Sequence, residues 1–63
     1  MKVNVRIAMM SHLSDAQHLI GAGMQSEANV ELNFVKMMLL TYGDSMDMEV
    51  DSSELDKLYS ELD

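Results

Sequence analysis

Cysteine, proline and tryptophan are all missing from this sequence. Without cysteine there is no disulfide framework and no thiolate metal site; the lack also fits a reducing compartment. Without proline, the chain's punctuation falls to Gly21, Gly23 and Gly43. Basic residues are scarce, with four Lys and Arg against 11 Asp and Glu and a net charge of −7. That balance argues against direct binding to phosphate backbones, which needs Lys and Arg. Long apolar runs are lacking too. The longest, Ile7–Met10 and Met37–Leu40, fall far short of the roughly 20 residues that span a bilayer. The N-terminal stretch has no apolar core leading into a small-residue cleavage site, so no signal peptide is read. Sixty-three residues allow one small domain, residues 1–63, and a chain of this size buries only about 60% of its unfolded surface. The expectation is a soluble cytoplasmic protein whose monomer is marginally stable.

The charge is unevenly distributed. In residues 1–43, Lys2, Arg6 and Lys36 balance Asp15, Glu27 and Glu31. In residues 44–63, Asp44, Asp47, Glu49, Asp51, Glu54, Asp56, Glu61 and Asp63 face Lys57 alone. A neutral body therefore carries an acidic C-terminal segment.

Gly21-Ala22-Gly23 and Tyr42-Gly43-Asp44-Ser45 divide the chain into three pieces. In the first, Val5, Met9, Leu13, Ala16 and Ile20 form one stripe at 100° per residue, which predicts an amphipathic helix over Val3–Ile20. Ser14 with Gln17 is a competing capping box that would start a shorter helix there. The second piece, Ser26–Tyr42, is the strongest helix. Ala28, Leu32, Val35, Leu39 and Tyr42 occupy one face, with Met24 extending it, and Val30, Phe34, Met37 and Thr41 occupy another. A helix apolar on two faces needs two partners. Gly43 follows in the position of a C-cap glycine. In the third piece, Asp51 and Glu54 have capping-box spacing. Leu55, Leu58, Tyr59 and Leu62 make a short stripe suited to cover one face of the second helix.

The fold class read from this is all-α: an antiparallel helical hairpin plus a short C-terminal helix. The alternative is α+β, strand–helix–helix–strand–helix. Val3, Val5 and Ile7 alternate with polar residues, as do Met46, Met48 and Val50, and period-two alternation is the strand signal. Pairing those segments would set Lys2 and Arg6 beside the acids. Continuous helix is preferred because no turn residue separates Ile7 from Leu13. Ala16 and Ala28, small residues at the close approach of the helices, make the hairpin loosely similar to a single tetratricopeptide unit. An array needs at least three repeats, and nothing further is carried over.

Candidate chemistry is sparse. His12, Asp15 and His18 recur every three residues, and Asp15 and His18 can share a helix face, with Glu27 and Glu31 at similar height on the second helix. This faintly resembles the Glu-x-x-His sites of di-iron bundles. Bundle sites use inward-pointing ligands, however, and Asp15 and His18 oppose the apolar stripe, so neither a metal nor another cofactor is assigned. Gly21-x-Gly23-x-x-Ser26 matches a dinucleotide fingerprint in letters only, because it follows a helix rather than a strand. The acids from Asp44 onward fail calcium-loop spacing, which requires Gly at position 6 and Glu at position 12. Ser11 and His12 are adjacent, and adjacent helical residues do not face each other. No catalytic residue is read.

Eight methionines in 63 residues are unusual, and methionine suits both core filling and adaptable binding surfaces. Met9, Met37 and Met38 suit core filling as well as an adaptable apolar surface, whereas Met46 and Met48, set among acids, are the better surface candidates. The functional expectation is a noncatalytic protein-interaction module, a homodimer formed through Val30, Phe34, Met37 and Met38 on the two-faced helix. Phe34→Asp should then break the assembly. The second reading is an acidic decoy in which Asp44, Asp47, Glu49 and Asp51 bind a basic protein or a basic amphipathic helix. The third is the carboxylate–histidine metal bundle. Neither nucleic acid nor membrane is an expected direct partner.

Overall fold

The computed structural model describes residues 1–61. Strand β1 (Lys2–Asn4) leads directly into helix α1 (Val5–Gly21), which turns into helix α2 (Gln25–Tyr42). Strand β2 (Glu49–Asp51) and helix α3 (Ser52–Ser60) follow. The helical hairpin and the short third helix are as expected, and the strand–helix–helix–strand–helix order of the alternative reading is the one observed. Leu62 and Asp63, the end of the expected stripe and of the acidic segment, lie outside the described residues.

Val3 and Asn4, expected in the first helix, are strand instead, together with Lys2. The physical reason is Asn4. Its backbone is extended (φ −76°, ψ 126°), and its side-chain oxygen accepts a hydrogen bond from the Ile7 N–H at 3.0 Å, so it caps a helix that begins at Val5. A helix start leaves its first N–H groups without partners. Here the Val5 and Arg6 N–H groups donate to the Met48 and Met46 carbonyls at 3.1 and 3.0 Å. The acidic loop thus docks on the start of α1 through main-chain bonds. The helix runs unbroken past Ser14, so the Ser14–Gln17 box is not used.

Asn4→Ala is expected to cost about 1 kcal/mol, the usual value of an N-cap, and somewhat more if the Asn4 Nδ2 bond to the Asp47 carbonyl, 3.3 Å, also contributes. Urea titration followed by circular dichroism measures it. A variant as stable as the parent would mean that the loop carbonyls alone fix the helix start.

The α1–α2 turn is a Schellman motif. The Met24 N–H reaches the Leu19 carbonyl at 2.8 Å and the Gly23 N–H reaches Ile20 at 3.0 Å. Gly23 has φ 77°, the left-handed conformation that glycine adopts without a Cβ penalty. Gly43 differs from the expected pattern: it ends α2 in right-handed geometry (φ −51°). Its hydrogen is needed for another reason, since a Cβ there would sit 2.6 Å from the Leu39 carbonyl oxygen.

The strands pair antiparallel with Lys2 opposite Asp51, Val3 opposite Val50 and Asn4 opposite Glu49. Lys2 Nζ lies 3.8 Å from Asp51, and Arg6 Nη2 lies 3.1 Å from Asp47. Asp51 stands at the N-cap of α3 with extended backbone, yet its side chain makes no cap bond. The expected capping box is therefore not formed: the carboxylate turns to Lys2, and the Ser52 N–H donates to the Met1 carbonyl at 2.9 Å.

A two-stranded ribbon is marginal unless it packs on something. Here Val50 supplies that packing. The core joins Val5 and Met9 of α1, Val35 and Met38 of α2, Val50 of β2 and Leu55 of α3. Nearer the hairpin turn, Ala16 and Ala28 are buried where the helices approach closely. Met46 packs against the core rather than facing solvent as expected, whereas Met48 is exposed. No described helix is long and apolar enough to cross a membrane.

Candidate functional site

The polar residues that the fold brings together lie on the seam of the three helices. His12, in the middle of α1, is half-buried. Its Nδ1 is 2.8 Å from Glu31 Oε2 on α2, and its Nε2 is 2.7 Å from the Tyr59 hydroxyl on α3. Phe34, one turn beyond Glu31, packs its ring 5.2 Å from His12 and 4.5 Å from Tyr59, and His12 meets Tyr59 edge-on at 5.3 Å. Asp15, one turn after His12, is exposed. One oxygen of its carboxylate, one Glu31 oxygen and a His12 ring nitrogen all lie within 4.8 Å of one another.

A carboxylate only accepts hydrogen bonds, so His12 Nδ1 carries the proton shared with Glu31. In the neutral ring Nε2 is then an acceptor, filled by the Tyr59 O–H. The order hydroxyl–imidazole–carboxylate is that of a nucleophile triad. The Tyr59 pKa is raised, first by burial and then by the negative charges of Glu31 and Asp56, which holds the proton on the hydroxyl that donates to the ring. The arrangement ties three helices together through one imidazole and leaves no buried side-chain polar atom unsatisfied among the described residues.

This cluster is only partly legible in the sequence. The spacing sets Asp15 beside His18 and brings Glu31 to a similar height, without singling out His12. His18 is exposed, and the imidazole that meets the carboxylates is His12. Its partners lie 19 and 47 residues away, beyond the reach of local periodicity.

The expected self-association set is corrected in two of its members. Met38 is fully buried in the chain's own core and has no surface to offer. Phe34 is covered by Tyr59. The helical pattern revealed two apolar faces on α2 without saying which neighbour covers each; α3 folds back over the Phe34 face. Phe34→Asp would therefore damage the fold and does not report on assembly. Met37 is half-buried, and Val30 remains exposed on the outer flank. Of the acidic set, Asp47 and Asp51 are engaged by Arg6 and Lys2. Asp44 and Glu49 have no cationic partner among the described residues.

Apolar side chains are left uncovered on more than one face, and one group of them lies on the other side of the hairpin. At 100° per residue, Leu13 and Ile20 on α1 and Leu32 and Leu39 on α2 project to the face opposite the His12–Phe34–Tyr59 seam. These four are 44, 49, 40 and 48% exposed and lie outside the core cluster. Met10 and Leu13, with Ser14 and Gln17, line an open groove along α1. By the same angles Asp15, Glu27 and Glu31 point toward the seam, so the open face carries none of the body's acids.

No family model, no curated protein and no solved structure matches this chain.

Proposed function

We propose that this protein is a noncatalytic interaction module that self-associates through the open face of its hairpin, with Leu13, Ile20, Leu32 and Leu39 at the contact. The observation that carries the reading is the placement of half-exposed leucine and isoleucine from both helices on one face, away from Asp15, Glu27 and Glu31. Scattered exposed apolar residues need no explanation, whereas a contiguous patch marks an interaction site. Two copies meeting on this face would form a four-helix bundle, which buries a stripe from every helix. A standard interface takes about 800 Å2 from each partner. The described surface is 4366 Å2, so a dimer asks for a little under a fifth of it, which one face of a hairpin can supply.

The acidic-decoy reading has less behind it. Two of the four acids offered to a basic partner are already paired within the chain.

The test is solution mass across a concentration series for the parent and for a Leu13→Lys, Leu32→Lys double variant. The parent is expected to dimerise at micromolar concentrations. The variant should stay monomeric with an unchanged circular dichroism spectrum, since neither position belongs to the core. A parent that is strictly monomeric at high micromolar concentration overturns the proposal.

A further inference from the structure

We propose that His12, Asp15 and Glu31 form a binding site for a divalent transition ion of the zinc type, joining α1 to α2 on the side of the molecule away from the open hairpin face. Three observations converge on it. First, one imidazole nitrogen and two carboxylate oxygens from three residues already lie within 4.8 Å of one another. Ligand atoms about 2.1 Å from a tetrahedral ion sit about 3.4 Å apart. To reach that spacing the His12–Glu31 pair, 2.8 Å apart, opens slightly and the exposed Asp15 changes rotamer.

Second, the Asp15 carboxylate has no hydrogen-bond or ion-pair partner among the described residues. It stands beside a second carboxylate, and a cation would relieve that crowding. Third, the remote nitrogen of His12 is already held. Metal-bound histidines nearly always donate their other N–H to a fixed oxygen, which sets the ring's tautomer and orientation. Tyr59 provides that oxygen at 2.7 Å from Nε2. A hydroxyl both donates and accepts. On metal binding the ring proton leaves Nδ1 and resides on Nε2, and the Tyr59 hydroxyl rotates from donor to acceptor. The neutral ring keeps one proton throughout.

The donor set chooses the ion. An imidazole with two carboxylates suits zinc and its first-row neighbours, whereas magnesium takes an all-oxygen octahedral shell and keeps its waters. Three protein ligands also leave at least one position for water or for a ligand supplied by another molecule.

Zinc chloride titrated into the full chain, followed by calorimetry and thermal melting, tests the proposal, with magnesium chloride as the control. Zinc is expected to fill one site and to raise the melting temperature by at least about 5 °C at a hundredfold excess over Kd; magnesium should do neither. Asp15→Asn removes a ligand that makes no bond in the metal-free fold. It should therefore leave the metal-free melting temperature unchanged and weaken zinc binding by more than about tenfold, at least the loss typical of a supporting residue. His18→Ala removes the other imidazole of the chain and should leave affinity unchanged. Absence of zinc binding by the parent, parent-like affinity in Asp15→Asn, or loss of affinity in His18→Ala would each overturn the assignment.

Discussion

Met38→Ala is expected to remove about half of the chain's stability, while Met37→Ala, one residue away, is expected to cost under about 1 kcal/mol. Met38 is among the largest fully buried side chains and packs in the cluster that joins α1, α2, β2 and α3. Truncating a buried methionine to alanine typically costs about 2–5 kcal/mol, the transfer term plus the cavity left behind. Small domains have about 0.05–0.15 kcal/mol of stability per residue, so a chain of this length has about 3–9 kcal/mol in all. The deletion thus consumes about half of the stability or more. Met37 is half-buried at the rim, so its removal leaves a dent that water and neighbours fill. Thermal melts should separate the two variants by more than about 10 °C. Equal shifts would mean that the core is not centred on Met38.

The contrast between Met37 and Met38 bears on how much of the fold is legible in the sequence. The hairpin is: a glycine-bounded turn and two stripes with steps of three and four give α2 to within a residue and place Ala16 and Ala28 at the close approach. The ribbon is legible only as an alternative. Val3, Val5 and Ile7 alternate as a strand would, yet Val5 also starts the helical stripe through Met9 and Leu13, and a three-residue strand offers too little pattern to decide. Asn4 decides it locally by capping α1. Its place just before an apolar helical run is an N-cap signal available from the sequence, but the apolar stripe alone carries the helix back to Val3.

At Asp51 the reverse happens. The local signal for a capping box is present, but Lys2 across the ribbon draws the carboxylate away, so a tertiary contact overrides a local one. Which apolar face of α2 stays open is not written in α2 at all. It depends on where α3 folds back, and that is fixed by Leu55 in the core and Tyr59 on Phe34. The candidate site follows the same rule. Periodicity assigns Asp15 to a helix face, but the convergence of His12 with Glu31 and Tyr59 is a product of packing between three elements.

Val50→Asp and Met48→Asp, the same change two residues apart, are expected to differ by more than about 3 kcal/mol. In the sequence these positions look alike, both apolar in a run that alternates with acids. In the fold Met48 is 47% exposed in the loop and Val50 is 2% exposed on β2, opposite Val3 and in the core with Leu55. A carboxylate at position 48 meets water and adds a charge to an already acidic loop, a change worth a few tenths of a kcal/mol. At position 50 it would be buried with no cation in the core to meet it, and an uncompensated buried charge costs about 3–5 kcal/mol. The damage should also spread in a defined order. Val50 is the ribbon's core residue and is followed directly by α3, so its loss frees β2 and withdraws Tyr59 from His12. Near-ultraviolet circular dichroism, which reads the packing of Tyr59 and Phe34, should collapse in Val50→Asp and persist in Met48→Asp. If the aromatic signal survives in Val50→Asp, α3 is held to the hairpin by the His12–Tyr59 bond and the Phe34 contact alone, and the ribbon is an ornament rather than the hinge of the fold.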